Sequence, residues 1–387
     1  MAPLEPWEKV LVDGEAFPET VHGQITCSEC HGGDEASDKD LAHTDMIRNP
    51  SEPHAEICSQ CHPDVTDSAI QSLHTTQQGY WTVLNTRSAT DHDPALEEMF
   101  GNHCASCHTT CADCHVSQPN SAGGGFIDGH LFKSTPSTTR NCTACHGSRV
   151  GNEYLGKHED LSPDIHFRQG RMGCTDCHSG QELHGQPSAC DTCHATPEES
   201  TMPPPEHRYD GLQAPRCETC HTSTTTGEDG IEMHAVHGGD LSCSVCHSIN
   251  YTSCDGCHVA ISEQSGNPFF STHGTYQGFW IGRNPIQSYD RPYEFVPVRH
   301  VPIAPDSYAY YGEDLLPNFD ALPTWTYATP HNTQLETPQT ESCNACHGNP
   351  DLFLTADKVL PEELAANLAV IMDSIPSLVE TEELPSE

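Results

Sequence analysis

Positive charge is scarce in this chain: 16 Lys plus Arg stand against 56 Asp plus Glu, for a formal net charge of −40. That balance argues against nucleic acid and anionic membrane surfaces as partners. It favours solubility, basic partners, or divalent cations such as Ca2+ held among carboxylates; adaptation to a saline habitat explains it equally well. Apolar residues are also few, at 35% hydrophobic and 7% aromatic, below the usual globular share. No apolar run approaches the length needed to cross a bilayer, so no transmembrane segment is expected. Residues 1–26 lack a basic segment followed by an apolar one, so an export signal is expected to have been removed from this numbering. Finally, no cysteine is spare. All 22 fall in one repeated pattern, which leaves none for disulfides, lipidation or a separate zinc site.

That pattern is C-x-x-C-H. It occurs as Cys27-Cys30-His31, Cys58-Cys61-His62, Cys104-Cys107-His108, Cys111-Cys114-His115, Cys142-Cys145-His146 and Cys174-Cys177-His178. It continues as Cys190-Cys193-His194, Cys217-Cys220-His221, Cys243-Cys246-His247, Cys254-Cys257-His258 and Cys343-Cys346-His347. C-x-x-C alone is also a zinc half-site or a redox dithiol. Yet a histidine follows all eleven copies, where 27 His in 387 residues would put one there about 7% of the time, and zinc has no use for that histidine. The pattern is the attachment signature of c-type haem: two thioethers to the porphyrin and a proximal imidazole on iron. Between Cys104 and Cys111 the extended chain spans at most roughly 25 Å, so two porphyrins there must touch or nearly touch.

Eleven haems on so short a chain leave little polypeptide per cofactor. The expected fold is mostly loops with short α-helices and little β, a multihaem cytochrome c architecture in which stacked haems are the core. Apoprotein is expected to be unfolded, because the buried surface belongs to the cofactor. With 30 Pro and 29 Gly, long regular elements are disfavoured. The motif starts show no fixed repeat length, so the chain is not an array of identical modules.

Four segments are expected: an N-terminal arm, 1–26; a ten-haem block, 27–258; an aromatic and proline-rich stretch, 259–342; and the eleventh haem site with a helix and acidic tail, 343–387. The third holds fourteen of the 26 aromatic residues and ten prolines. Pro297, Pro302 and Pro305 make its stem extended chain. It reads as an aromatic-filled subdomain or as an extended arm across other haems or another subunit, and the arm is favoured because proline holds it extended at low entropic cost. In the last segment Pro361, Glu362 and Glu363 read as a helix start, with Leu364, Leu368, Ile371 and Ile375 on one face before Pro376.

Electron-transfer haems are usually closed by a second strong ligand, whereas catalytic ones stay open. Sixteen histidines remain outside the motifs: His22, His43, His54, His74, His92, His103, His130, His158, His166, His184, His207, His234, His237, His273, His300 and His331. They suffice to close every iron. His103 abuts Cys104 and is expected to serve a neighbouring haem; His234 and His237 both face inward if helical. His92 and His158 sit in charged, exposed-looking contexts and are the weakest candidates.

Several stretches resemble a group of multihaem c-type cytochromes from anaerobic bacteria and archaea. They are CHGG with AHTDMIRNPS, HCASCHTTCADCHVSQP, GGGFIDGH, CTACHGSRVGNEY, CTDCHSGQELHG, RHVPI, TWTYATPHN and SCNACHGN, covering most of 27–349. The resemblance implies distal ligation by His43, His74, His103, His130, His166, His184, His237, His300 and His331, with His22 and His234 added. It also implies cytochromes that carry electrons across or away from cell envelopes, some of them polymerised into haem-lined filaments.

The expected function is therefore extracellular electron transfer along eleven bis-His haems, with a filament (nanowire) subunit as one form and other cytochromes or extracellular acceptors as redox partners. An extracellular or cell-surface location is expected, with the periplasm as the alternative. A second reading is a reductase or oxidase acting on a small nitrogen or sulfur compound at one open haem. No C-x-x-C-K variant occurs, but Arg149 and Tyr154 are available to line a pocket. A third is a periplasmic subunit threaded through an outer-membrane barrel.

Overall fold

The computed structural model describes residues 4–34, 36–52, 55–185, 215–224, 227–287, 291–301 and 303–380. The motif Cys190-Cys193-His194, together with His54, His207 and the side chain of His273, lies outside the described residues. The chain divides into two compact units: unit 1 is 1–77, 107–151 and 172–194, and unit 2 is 78–106, 152–171 and 195–387. The ten-haem block expected over 27–258 is thus shared between two units, and the boundary falls inside the third motif, between Cys104 and Cys107.

In unit 1 the motifs at Cys27–His31 and Cys111–His115 each form a single helical turn that opens at the first cysteine, and a shorter turn opens likewise at Cys174. Such a turn places residues i and i+3, the two cysteines, on one face. The residue before the second cysteine often caps the turn. Glu29 accepts from the Thr26 backbone N–H at 2.8 Å, Asp113 from Thr110 at 2.9 Å, and Asp176 from Gly173 at 2.6 Å. Each carboxylate satisfies a donor ahead of a helix start and sits at the positive end of its dipole. Between motifs the chain is pinned by side-chain amides: Asn141 donates to Asp113 O at 2.6 Å and to Ser117 O at 2.9 Å.

Unit 2 carries more sheet than expected. Strands β1 (Thr252–Ile261) and β2 (Pro268–Gln277) form an antiparallel hairpin, and β3 (Trp280–Arg283), β4 (Phe295–His300) and β5 (Trp325–Tyr327) form a second sheet in the order β3-β4-β5. The extended stem expected around Pro297 is therefore the middle strand of a sheet. Val296, Val298, Trp325 and Tyr327 from that sheet pack with Leu354, Val359, Val370 and Ile371. The 259–342 stretch, read as an extended arm or an aromatic-filled subdomain, supplies strands to unit 2 and shares that unit's apolar cores with residues on either side of it in the chain. The tenth motif lies on β1, with His258 opposite Ser271. Gly256, between its two cysteines, takes φ +63°, a left-handed backbone conformation that favours glycine, while the pairing register continues unchanged from Asp255–Gly274 to Cys257–Thr272.

A second core joins helices Gln78–Arg87 and Pro94–His103 through Leu84, Leu96, Met99 and Phe100 to Ile303 and Leu316. Arg87, 2% exposed, spans this layer. Its guanidinium donates to Phe319 O at 3.0 Å, Pro323 O at 3.3 Å and Leu322 O at 3.4 Å. The helix expected from Pro361 onward is a series of turns instead. Its backbone is used sideways: Arg283 N–H donates to Val370 O, and Met372 N–H to Leu354 O, both at 2.8 Å. Val370 and Ile371 are buried, while Leu368 is exposed. No helix among the described residues is long and apolar enough to cross a membrane.

Candidate haem ligands and their geometry

With metal–nitrogen bonds of about 2 Å and roughly 1 Å more from nitrogen to ring centre, two imidazoles on one metal stand about 6 Å apart between centres. Seven pairs among the described residues meet that spacing. In unit 1 they are His31 with His130 at 6.0 Å, His62 with His22 at 6.1 Å, His115 with His184 at 6.0 Å and His146 with His74 at 6.1 Å. In unit 2 they are His221 with His166 at 6.0 Å, His247 with His234 at 6.0 Å and His347 with His237 at 6.2 Å. Each pair joins one motif histidine to one histidine outside the motifs. Other ring contacts scatter from 4.0 Å, for His22 on Phe132, to 6.5 Å, for Phe270 and Tyr308. Ordinary stacking does not produce so narrow a band.

In four motif histidines a hydrogen bond at Nδ1 leaves Nε2 as the nitrogen available to a metal. Nδ1 of His31 lies 2.8 Å from Ile47 O, that of His115 2.6 Å from Lys133 O, that of His247 3.0 Å from Gln334 O and that of His347 2.9 Å from Ser377 O. Metal-bound imidazoles characteristically carry such a support. Burial, and next the facing proximal ring, hold His22, His130 and His184 below the usual imidazole pKa; burial does the same for His74. That direction favours the neutral ring, the form in which imidazole binds a metal. The helix Glu232–His237 directs His234 to His247 and His237 to His347, so its two histidines serve two different motifs.

The cysteines show which attachment edges adjoin. In unit 1 Cys58 adjoins Cys111, Cys142 adjoins Cys174, and Cys145 adjoins Cys107; in unit 2 Cys217 adjoins Cys243. These thiols stand in for the thioether sulfurs of a loaded chain. Cys246 and Cys346 are also electrostatic neighbours. Three of the motifs in unit 2 therefore adjoin in the order Cys217, Cys243, Cys343.

The remaining expected distal ligands are placed differently. His300 sets Nδ1 2.8 Å from Asp255 Oδ2 and Nε2 3.1 Å from Glu363 Oε1, both buried carboxylates, and no motif imidazole stands opposite it among the described residues. His103 sets Nε2 2.7 Å from the Tyr311 hydroxyl. His43 is exposed, with Nδ1 2.6 Å from Lys39 O, and no motif imidazole stands opposite it among the described residues. His331 sets Nδ1 3.1 Å from Thr329 O and its backbone N–H 2.7 Å from Glu153 Oε2. His92 rests on Trp81 at 4.5 Å and 3.4 Å from Glu97. His158 is not exposed as its context suggests: it stacks on Tyr251 at 4.2 Å, with Nε2 buried and unbonded.

Of the residues expected to line a pocket, Arg149 sits in the turn Gly147–Gly151, and the Tyr154 ring packs on Phe167 at 5.6 Å. The residue that does matter there is Glu153, fully buried, which receives hydrogen bonds from Arg299 and from the Tyr251 hydroxyl. Among the described residues no three or more His, Cys, Asp or Glu side chains form a metal-holding group by themselves. The fit to haem rests on paired imidazoles beside paired thiols.

No protein-family model, curated protein or solved structure matches this chain. The ligand geometry therefore carries the functional argument alone.

The supporting carboxylates escaped the sequence reading. Asp164 lies 2.9 Å from His166 Nδ1, Asp229 2.5 Å from His234 Nδ1 and Glu182 2.9 Å from His178 Nδ1. All three stand two to five residues from their histidine, a spacing that could have marked them.

Proposed function

We propose that this chain is an electron conduit, passing electrons along eleven closely spaced c-type haems between cell-surface donors and extracellular acceptors. The observation that carries the reading is the set of seven imidazole pairs at 6.0–6.2 Å, each joining a motif to a non-motif histidine. Bound haem supplies one-electron iron chemistry, tuned by its axial ligands and surroundings. The paired histidines would hold such a haem from both faces and so would leave no coordination position for substrate. Its cysteines bring attachment edges side by side, at Cys58 and Cys111 or Cys217 and Cys243. The charge of −40 keeps such a particle soluble and steers basic partners to it. An extracellular or surface location, redox partners among other cytochromes, and assembly into a filament belong to the same proposal.

The test is spectroscopic. Reduced holoprotein exposed to carbon monoxide is expected to keep nearly all haem low-spin and unreactive. Uptake at a major fraction of sites, or turnover of nitrite, hydroxylamine or tetrathionate by the isolated protein, contradicts the reading.

A further inference from the structure

Three haem sites of unit 2 differ in what stands behind their distal histidines. His234 and His237 lie on one short helix, Glu232–His237, and face His247 and His347. The two proximal rings are supported alike, His247 by Gln334 O at 3.0 Å and His347 by Ser377 O at 2.9 Å. The distal rings are not. His237 Nδ1 meets the neutral Met233 O at 3.0 Å, whereas His234 Nδ1 meets the Asp229 carboxylate at 2.5 Å. At the third site, His166 Nδ1 meets Asp164 at 2.9 Å. That carboxylate is fixed by the Thr333 backbone N–H at 2.7 Å and its side chain is 3% exposed.

A carboxylate behind a ligating imidazole pulls the Nδ1 proton toward itself and makes Nε2 a stronger electron donor. The bond is charge-assisted and roughly twice as strong as one to a carbonyl. Greater donation stabilises ferric over ferrous iron and lowers the potential, all else equal. The sites also adjoin in order, through Cys217 with Cys243 and Cys246 with Cys346.

Resting on the bis-His reading above, we infer that Asp164 and Asp229 grade the potentials of unit 2. The sites at Cys217–His221 and Cys243–His247 are the low end, and the site at Cys343–His347 stands above them. Electrons in this unit collect toward the Cys343 site. Asp164 and Asp229 are positioning residues, acting through the imidazoles they hold.

The experiment is a potentiometric titration of fully haem-loaded protein, followed in the visible spectrum, for wild type, Asp164→Asn and Asp229→Asn. Each Asn variant is expected to move a single low-potential component upward and leave the others in place. At fixed potential its reduced-to-oxidised ratio rises about tenfold, which is about 59 mV for one electron. Glu232→Gln, which removes a neighbouring carboxylate without touching an imidazole, is expected to move none. Unchanged potentials in both Asn variants at full haem content overturn the grading and leave the conduit reading standing. Where an Asn variant loses low-spin haem, the corresponding Asp→Glu variant keeps an acceptor; it is expected to restore spin state and low potential together, and restored spin state without low potential overturns the grading. Wild type with no low-spin bis-His haem takes down both readings.

Discussion

His300 offers the sharpest test of the buried electrostatics. It lies on β4, 9% exposed, between Asp255 at 2.8 Å and Glu363 at 3.1 Å, with Trp325 5.3 Å away. Burial alone would lower its pKa, but hydrogen bonds to the two carboxylates carry it up to about 9. The imidazolium therefore belongs to the folded state. A rise from the ordinary 6.5 to about 9 corresponds to about 3 kcal/mol of linkage. Because the folded pKa is the higher one, this stabilisation is complete below about pH 6.5 and disappears as pH rises through about 9. Urea unfolding of holoprotein at pH 6, 7.5 and 9.5 is expected to show that loss. His300→Gln is expected to be less stable at pH 6 and to lose most of the pH dependence, since the Asp255 and Glu363 charges then lack their cation. Equal stability of wild type at pH 6 and 9.5, or an undiminished slope in the variant, would refute the assignment.

Three other outcomes follow from the same geometry. His237→Ala removes one ring of the 6.2 Å pair with His347 and is expected to make about one haem equivalent bind carbon monoxide, read from the difference spectrum. Arg87→Leu strands buried carbonyls at Phe319, Leu322 and Pro323 and is expected to cost roughly 2–4 kcal/mol in denaturant titrations without altering the haem spectrum. Chain produced without haem attachment is expected to show little ordered far-ultraviolet dichroism, because much of its surface needs the cofactor as its core.

The C-x-x-C-H motifs were legible because their two thiols and imidazole lie within five consecutive residues. The pairing of motif with non-motif imidazoles was legible only as a supply of histidines. His184 meets His115 across 69 positions, and no periodicity announces that. The carboxylates beside His300 were invisible for the same reason: Asp255 and Glu363 are 45 and 63 residues away. The extended character of Phe295–His300 was readable from its prolines, but not its neighbours in the sheet. The C-terminal pattern of Leu364, Leu368 and Ile371 fits a helix by spacing alone. Tertiary bonds override it: Asn367 accepts from the Trp325 backbone at 2.9 Å and donates to Thr324 at 2.8 Å. Asp229 and Asp164 could have been suspected from their nearness to histidine, though nothing local says which nitrogen they hold.

The most direct measurement is an anomalous-scattering map at the iron edge on crystals of the haem-loaded protein. An iron centred in each of the seven imidazole gaps, about 2 Å from both Nε2 atoms, is the predicted result. Irons bound to the motif histidines alone, with His22, His74, His130, His166, His184, His234 and His237 turned away, would contradict it.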